Sequence, residues 1–424
     1  MNKINILFDA KIFLDSYFTA NLSRSGVFFV AWNVLQIMQK NNTFHIILTY
    51  PAEYEASINL RKIKKEIFFS QFNFVCIGFE NFITTLQQNI EKHKKNRKYV
   101  KMLYNYLRLK KIEIREIKYS NEEIFKNVHV YLSPYYAISK DILKQKHIKK
   151  FYILHDTTAI IFPEYFMSLI HHNQLIDTFN KDIYSFCVSQ SCKDDFLKYC
   201  GDKLDANKMF VTYNATSRHY VPNYNRQELL KTLKKYDVEH NQNDKYIFSL
   251  CSLEPRKNLP FTIACFFKFI KKNNIQDLYF YLGGDIWDNF KSVLAETLQE
   301  ACEFEHKIKL LGYIDDSDAN ILYSNSLFFT YLSQYEGFGM PPLEAMQAGT
   351  PVITSNNSSL PEVVGDAAIS LTYNDENAVI KAFEDFYYNE DLRKEYIARG
   401  LERAKMFSWE KCVGQMIKII EEIS

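Results

Sequence analysis

Two glutamates, Glu336 and Glu344, enclose the sequence EGFGMPPLE, which combines two glycines with a double proline. Glycines let a backbone approach a ligand closely, and free N–H groups at a helix N-terminus favour an anion such as phosphate. A carboxylate in the first helical turn can accept hydrogen bonds from two vicinal hydroxyl groups, such as those of a ribose. The spacing therefore predicts a site for a phosphorylated nucleoside, with Glu336 on the other side of the phosphates. A capped strand-to-helix turn is the simpler alternative.

The flanking residues predict a strand, a glycine-rich loop and a short helix. SLFFTYLS (326–333) is typical of a buried strand. Proline suits the first helical position and glycine commonly ends a helix, so LEAMQA (343–348) is predicted to form a helix that stops at Gly349.

Short apolar segments alternate with helical ones along the whole chain. This alternation predicts parallel sheets covered on both faces, in two successive doubly wound α/β units that join near 215–225. Ligands of such sheets bind outside the carboxyl ends of the strands. The predicted strands are 4–10, 44–50, 72–79, 128–134, 150–156, 186–191, 209–214, 245–252, 278–284, 308–314, 326–333, 350–355 and 367–372.

Composition narrows the class of protein. A chain of 424 residues predicts two domains, and a formal net charge of +2 argues against wholesale nucleic-acid binding. The eight cysteines lack ligand spacing, which favours buried thiols over zinc or disulfides. Asp9 and Lys11 interrupt the N-terminal apolar run, and no window reaches the ~18 apolar residues of a spanning helix. We expect a cytoplasmic protein.

A resemblance to a known family covers both predicted units. The sequence EGFGMPPLEAMQAGTPVITSNNSSLPEVVGDAA, with seven residues between Glu336 and Glu344, resembles the signature of the family 4 retaining glycosyltransferases of GT-B fold. FSLCSLEPRKNLP, LHDTTAIIFPEYF, VSQSCKDDF, YNATS, LLGYIDD and FSWEKC also resemble segments of that family. The EPRKN form is similar to that of polysaccharide and O-antigen mannosyltransferases. Residues 55–130 carry no usable resemblance.

The resemblance implies an α/β GT-B fold, in which two Rossmann-like domains face each other across a cleft. Residues 1–217 would bind the acceptor, and residues 218–406 would bind the nucleotide sugar. The C-terminal helix, 407–424, would pack back towards the N-terminal domain.

The resemblance also assigns catalytic residues. Arg256 and Lys257 would stabilise the departing diphosphate as fixed cations. The family more often places its arginine where this chain has Ser252, so Arg256 is taken as the substitute. Glu336 and His155 would position the donor sugar, although a histidine at a strand end is often only structural. Asp156 would either orient the His155 ring or approach the acceptor.

Further residues would hold the nucleotide. Glu344 would bind the ribose, and the backbone around Gly312 would flank the base, unless this is an ordinary strand end. The predicted donor-binding residues are Gly26, Ser252, Arg256, Lys257, Gly312, Tyr313, Ile314, Gly337, Phe338, Gly339, Met340 and Glu344. No metal and no cofactor other than the nucleotide-sugar co-substrate is expected.

The predicted function is that of a retaining glycosyltransferase in bacterial surface polysaccharide biosynthesis, such as lipopolysaccharide or capsule. GDP-mannose is the favoured donor, with UDP- and dTDP-sugars as alternatives, and the acceptor would be a glycan or a lipid-linked sugar. One alternative is a nucleotide-sugar epimerase or another GT-B enzyme. The other is a non-catalytic nucleotide-sugar-binding subunit of a polysaccharide assembly complex.

Residues 92–118 form a basic segment, with 11 Lys or Arg against 2 Glu and with apolar residues interleaved. A basic amphipathic helix is most often a solvated face, but it can also dock on anionic lipid. The hypothesis is that this segment contacts the inner face of the plasma membrane or an anionic lipid-linked acceptor.

Overall fold

Two parallel β-sheets form the frame of the protein. The computed structural model describes residues 3–16, 26–51, 58–66, 68–77, 121–166, 168–287, 290–300 and 303–424. Within these ranges, the strands of each sheet pair in parallel throughout. Parallel pairing needs a crossover between strands, and helical segments of the chain supply these crossovers.

The N-terminal sheet has the strand order β3-β2-β1-β4-β5-β6-β7. Its strands are β1 (Ile4–Asp9), β2 (Phe44–Pro51), β3 (Asn73–Ile77), β4 (Val130–Ser133), β5 (Lys149–Leu154), β6 (Tyr184–Cys187) and β7 (Met209–Val211). The helices of this half are α1 (Lys11–Ser16), α2 (Gly26–Met38), α3 (Ile58–Lys65), α4 (Asn121–Lys126), α5 (Lys140–Leu143), α6 (Thr158–Ile161), α7 (Ile170–Asp177) and α8 (Gln190–Cys200).

The C-terminal sheet has the strand order β10-β9-β8-β11-β12-β13. Its strands are β8 (Lys245–Leu250), β9 (Leu278–Gly283), β10 (Ile308–Gly312), β11 (Phe329–Tyr331), β12 (Val352–Ser355) and β13 (Ile369–Leu371). The helices of this half are α9 (Arg226–Lys235), α10 (Leu259–Lys272), α11 (Lys291–Glu300), α12 (Asp316–Ser324), α13 (Met340–Gln347), α14 (Leu360–Val364), α15 (Glu376–Tyr388), α16 (Glu390–Ala404) and α17 (Trp409–Ile423).

Each of the thirteen predicted strands has its counterpart in these sheets, with bounds that differ by a few residues. The strands read as continuous apolar runs because the sheets are buried on both faces. In β8, for example, Tyr246, Ile247 and Phe248 are successive residues and are all buried. The predicted α/β class with two doubly wound units is confirmed.

In both sheets, the strand order changes direction beside the first strand of the unit. β1 lies between β2 and β4, and β8 lies between β9 and β11. The crevice outside the carboxyl ends of the strands at such a point is where open α/β sheets bind ligands. The loops after β1 and β4 in the first sheet, and after β8 and β11 in the second, border these crevices.

The last helix, α17, packs against α2 of the N-terminal half, as the predicted architecture requires. Arg218 and Glu410 add an ion pair of 2.5 Å near this contact. The predicted domain limits fall in loops, at 217 between β7 and α9 and at 406 between α16 and α17. They remain predictions.

The seven cysteines in the described part of the chain are buried and free; the eighth, Cys302, lies outside it. Among the helices that the structure describes, none combines the length and apolarity needed to cross a bilayer. The basic segment 92–118 also lies outside the described residues.

Candidate active site

The helix after the glycine-rich loop begins earlier than the sequence predicts. α13 starts at Met340, and Gly339 precedes it in the left-handed region with φ of 97°. Glycine adopts this conformation without steric cost, and the prolines at 341 and 342 are tolerated because first-turn N–H groups lack helical partners. The predicted start at residue 343 is wrong. Glu344 consequently lies in the second turn, not the first.

A buried ion cluster lies where β8 and β11 end. Lys257 Nζ is 2.6 Å from Glu336 Oε1 and donates a hydrogen bond to the Tyr331 hydroxyl at 2.7 Å. Arg256 Nη1 is 2.9 Å from the same Glu336 oxygen, and its Nη2 is 2.6 Å from Glu254 Oε1. We call these four charged residues (Glu254, Arg256, Lys257 and Glu336) the cation cluster. It brings together three of the four predicted catalytic residues.

The cluster is electrically balanced, with two cations and two carboxylates in a buried setting. Burial would raise the pKa of Glu336, but Arg256 and Lys257 outweigh it and lower that pKa to about 2. Burial likewise opposes the charge on Arg256, whose pKa is nevertheless held above its ordinary value by Glu336 and Glu254. The two glutamates therefore keep the Arg256 guanidinium charged at the wall of the cleft, where it can meet an anionic ligand.

Glu254 and Tyr331 were not identified from the sequence. Glu254 immediately precedes the turn Pro255–Lys257 and is buried, with its carboxylate on Arg256. Its position two residues before Arg256 was the available signal, but an acidic residue beside a basic one is common on solvated turns. Only its burial shows that it belongs to the cluster.

A cavity of about 490 Å³, which we call the cleft cavity, opens between the two halves. The N-terminal half contributes His155 and Asp156 from the loop after β5, and the C-terminal half contributes Ser252, Glu254 and Arg256 from the loop after β8. Residues at the carboxyl ends of two different sheets thus share one space. This placement agrees with the expectation that the sheets face each other.

The His155 side chain is fixed by the backbone of the loop after β4. Its Nε2 donates to the Pro134 carbonyl oxygen at 2.7 Å, which places the proton on Nε2 and makes Nδ1 an acceptor. Burial lowers the pKa of His155, so the ring is neutral at neutral pH. Asp156 accepts a hydrogen bond from the Thr158 amide at 2.9 Å.

The glycine-rich loop forms the closest contact between the halves. A Cβ atom on Gly337 would lie 2.0 Å from the His155 carbonyl oxygen, so only glycine fits. Ser189 Oγ donates to the Gly337 carbonyl at 2.7 Å, and the Tyr335 hydroxyl donates to Asp195 Oδ2 at 2.7 Å. These contacts tie the second unit to the loops of the first.

Glu344 lies apart from the cation cluster, in a second cavity of about 660 Å³ that we call the Glu344 cavity. The Tyr323 hydroxyl donates to Glu344 Oε2 at 2.9 Å. Burial raises the pKa of Glu344 to about 7, and the Tyr323 hydrogen bond opposes this shift. The walls come from both halves, and Phe29 and Trp32 of α2 face Asp316 of α12.

Met340 lies between the two cavities. It lines the Glu344 cavity, and a Cβ atom on Gly26 would lie 2.7 Å from its Cε atom. Val27, next to Gly26, lines the cleft cavity. Gly26 and Met340 are therefore in contact where a residue of each cavity wall is close to one of the other.

The remaining predicted donor-binding residues differ in what they expose. Phe338 is buried, with its ring against Phe407 at 5.8 Å, so its side chain belongs to the core. Gly312 has φ of 66°, and its carbonyl accepts from the Gly284 amide at 2.7 Å. Tyr313 is 46% exposed, whereas Ile314 is buried. A ligand at this edge would meet the Tyr313 side chain and backbone.

Across the residues that the structure describes, no group of three or more metal-ligating side chains is placed to hold a metal ion. The acidic pair Asp315 and Asp316 begins α12, and Lys235 Nζ lies 2.5 Å from Asp315 Oδ2. Metal independence remains a prediction.

Comparison with known families gives a match in the C-terminal half. Residues 231–403 match the family described as glycosyl transferases group 1. O-antigen chain mannosyltransferase B of Escherichia coli is 35% identical over 212 residues, which are 50% of this chain and 54% of that protein. The serotype-specific mannosyltransferase WbdA of Escherichia coli is 26% identical over 262 residues, 58% of this chain and 29% of that protein. The matches therefore span about half or less of each relative.

A solved structure extends the likeness to the whole fold. The crystal structure of Anabaena Alr3699/HepE in complex with UDP and glucose superposes with a TM-score of 0.65 over 99% of both chains, at 13% identity. That likeness concerns the fold alone. Together with the two parallel sheets, it confirms the predicted GT-B architecture, and the sequence matches confirm the predicted resemblance to the mannosyltransferase-like subgroup.

Proposed function

We propose that this protein is a retaining glycosyltransferase of bacterial surface polysaccharide biosynthesis, since residues 231–403 match the family described as glycosyl transferases group 1. It takes a sugar from a nucleotide-sugar donor and transfers it to a glycan or lipid-linked acceptor. One relative above is named as an O-antigen chain mannosyltransferase and the other as a serotype-specific mannosyltransferase, which favours GDP-mannose as the donor. UDP- and dTDP-sugars are the alternatives.

The cation cluster carries this proposal. Arg256 and Lys257 are held beside the cleft by Glu336 and Glu254, whose carboxylates balance their charges. A bound diphosphate would share these two cations with the glutamates. Transfer increases the negative charge on the diphosphate, and preorganised cations stabilise that charge more in the transition state than in the ground state.

The nucleoside extends from the cluster towards Glu344. The Glu344 cavity is large enough for a nucleoside and has an aromatic wall from α2. The ribose hydroxyl groups donate to the Glu344 carboxylate, which keeps its other hydrogen bond to Tyr323. The structure of Alr3699/HepE in complex with UDP and glucose supports a nucleotide and a sugar as ligands of this fold.

The sugar lies at the junction of the two halves. A donor hydroxyl group donates to His155 Nδ1, whose acceptor character is fixed by the Nε2 bond to Pro134. Glu336, whose pKa is lowered to about 2, stays ionised and orients both the cations and the sugar. The acceptor oxygen forms a bond to the anomeric carbon while the carbon–phosphate oxygen bond breaks, and the acceptor proton moves to the leaving phosphate on the same face. Retention follows from that shared face.

A nucleotide-binding screen tests the proposal. Thermal-shift measurements with UDP, GDP, dTDP and ADP, and then with their sugar conjugates, should identify one nucleotide that raises the melting temperature and is stabilised further by its sugar. NMR of the product with an added acceptor should show a retained anomeric configuration, and EDTA should leave the rate unchanged. Absence of stabilisation by every nucleotide would contradict the proposal. A new sugar nucleotide formed without acceptor would indicate an epimerase.

A further inference from the structure

Two aromatic side chains from opposite halves of the chain meet at the wall of the cleft cavity. Trp287 follows β9 in the C-terminal half, and Phe166 follows the short turn Pro163–Tyr165 in the N-terminal half. Their ring centroids are 6.3 Å apart with an interplanar angle of 73°, and both line the cavity. Both side chains are only partly buried. The two rings therefore give the cleft cavity an apolar wall that a ligand can contact.

The position of Trp287 is coupled to the cation cluster through the backbone. The Trp287 amide donates to the Leu253 carbonyl at 3.1 Å, and the Leu253 amide donates to the Asp285 carbonyl at 2.8 Å. Leu253 directly precedes Glu254, the partner of Arg256. Trp287 is thus held at a fixed place relative to the cations, and a ligand that stacks on it does not need to order a loop.

Polar atoms without partners line the same cavity. Thr158 Oγ1 and His172 Nε2 are buried, and neither has a hydrogen-bond partner among the residues that the structure describes. Arg256 Nε is also buried in the cavity wall and has no hydrogen-bond partner among the described residues. A buried polar atom without a partner destabilises the folded state, so such atoms at one cavity indicate a ligand with its own donors and acceptors.

The combination of surfaces fits a sugar ring. A pyranose has an apolar face of C–H groups, which packs on an aromatic ring, and a rim of hydroxyl groups, which both donate and accept hydrogen bonds. A lipid phosphate would instead need a cation of its own, and the proposed function already assigns Arg256, which lines this cavity, to the donor diphosphate. The chemistry of the cavity favours a neutral sugar.

We propose that Trp287, Phe166, Thr158 and His172 form a subsite for the terminal pyranose of a glycan acceptor, with Trp287 as the residue that sets its affinity. The inference rests on the proposed function, which assigns the donor sugar to His155 and Glu336 and leaves these four side chains for the second sugar. Trp287 comes from the nucleotide-binding half, so the acceptor subsite is complete only while the two halves are in contact.

Tryptophan fluorescence gives a direct test, because the chain has only Trp32, Trp287 and Trp409, and the other two line the Glu344 cavity. The full chain, saturated with GDP, is titrated with the methyl α-glycosides of mannose, glucose, galactose and N-acetylglucosamine. At least one should change the emission in the wild type and in a Tyr388→Ala control, whose residue is 61% exposed on α15. Trp287→Ala should lose the change, and Thr158→Val should weaken binding about tenfold.

Steady-state kinetics separate an acceptor subsite from a donor subsite. With the glycoside that binds, Trp287→Ala should raise the acceptor KM about tenfold and leave the donor KM and donor hydrolysis unchanged. Trp287→Phe keeps an aromatic face and disturbs folding less than Trp287→Ala. Its acceptor KM should therefore lie close to that of the wild type. A raised donor KM, or tighter binding of decyl phosphate than of every glycoside, would overturn the inference.

The two proposals fail in different ways. Glycoside binding in the fluorescence titration requires no transfer, so it can persist even if no nucleotide sugar serves as donor, which would overturn only the proposed function. Transfer that persists while no glycoside gives a Trp287-dependent signal would overturn only the subsite.

Discussion

Gly337 and His155 touch through their backbones across the cleft, so closely that a Cβ atom on Gly337 would lie 2.0 Å from the His155 carbonyl oxygen. The two residues belong to different sheets, and both are in segments that the sequence marked as functional. The contact fixes how far apart His155 and the glycine-rich loop can be. It makes closure of the cleft dependent on the absence of one side chain.

Gly337→Ala should therefore force the halves apart. The methyl group meets backbone rather than a flexible side chain, so it cannot be relieved locally. We expect at least a tenfold loss of nucleotide-sugar affinity and a larger radius of gyration by small-angle X-ray scattering. Gly414→Ala is the matched control, because a Cβ atom there meets nothing within 4 Å. Because Gly414 lies in the middle of α17, Gly414→Ala should raise the free energy of unfolding by about 0.5–1 kcal/mol. Equal behaviour of the two variants would contradict the close contact.

Lys257→Met should abolish most transfer while the protein stays folded. Methionine replaces the buried stem of lysine, and Glu336 keeps Arg256 as a partner at 2.9 Å, so no carboxylate is left without a cation. Losing one fixed cation from the leaving-group site should lower kcat by about 100-fold or more. The matched control is Lys268→Met, whose side chain is 57% exposed and pairs with Glu376. An unchanged kcat in Lys257→Met would show that the cation cluster does not take part in transfer.

Glu344 should make stability depend on pH. Its pKa is raised from 4.5 to about 7 by burial, so its contribution to stability is fully present below pH 4.5 and is lost as pH rises through 7. The free energy of unfolding falls by at most about 3 kcal/mol over this pH range. Glu344→Gln should flatten the stability curve over this range and be more stable than the wild type at pH 8. Urea unfolding at several pH values measures both, and parallel curves for the two proteins would refute the prediction.

Glu362 should help to hold the halves together. It lies in α14 of the C-terminal half, and its carboxylate accepts from the Gln190 and Ser191 amides, each at 2.7 Å, at the start of α8 in the N-terminal half. Glu362→Gln retains only one strong acceptor for two amides and should cost about 1 kcal/mol in chemical unfolding. Glu376→Gln, an exposed partner of Lys268, serves as the control and should cost less.

The basic segment 92–118 provides a prediction that stands on composition alone. Reversal of several of its Lys and Arg residues to Glu should abolish sedimentation with liposomes that contain anionic lipid, and wild-type binding should weaken as salt rises. Liposomes of neutral lipid are the control. Binding that is unaffected by the reversal would end the hypothesis.

Local signals in the sequence identified the elements well but placed one boundary wrongly. The strands were recognisable because parallel strands buried on both faces are continuous apolar runs between turn residues. The start of α13 was misplaced by three residues because the prolines were taken as its first position. Gly339 can turn the chain before Met340, and nothing in the local sequence distinguishes the two registers.

The two α/β units, the loop that carries Glu336 and Glu344, and the candidate cations are all predictable from sequence, because they depend on periodicity and turn chemistry within short segments. Which side chains meet is visible only in the folded chain. Glu336 pairs with Lys257 across 79 residues, Glu344 lies in a separate cavity, and Trp287 faces Phe166 from the other half. Such contacts depend on how distant segments pack and on burial, which changes both the partners and the pKa of a charged group.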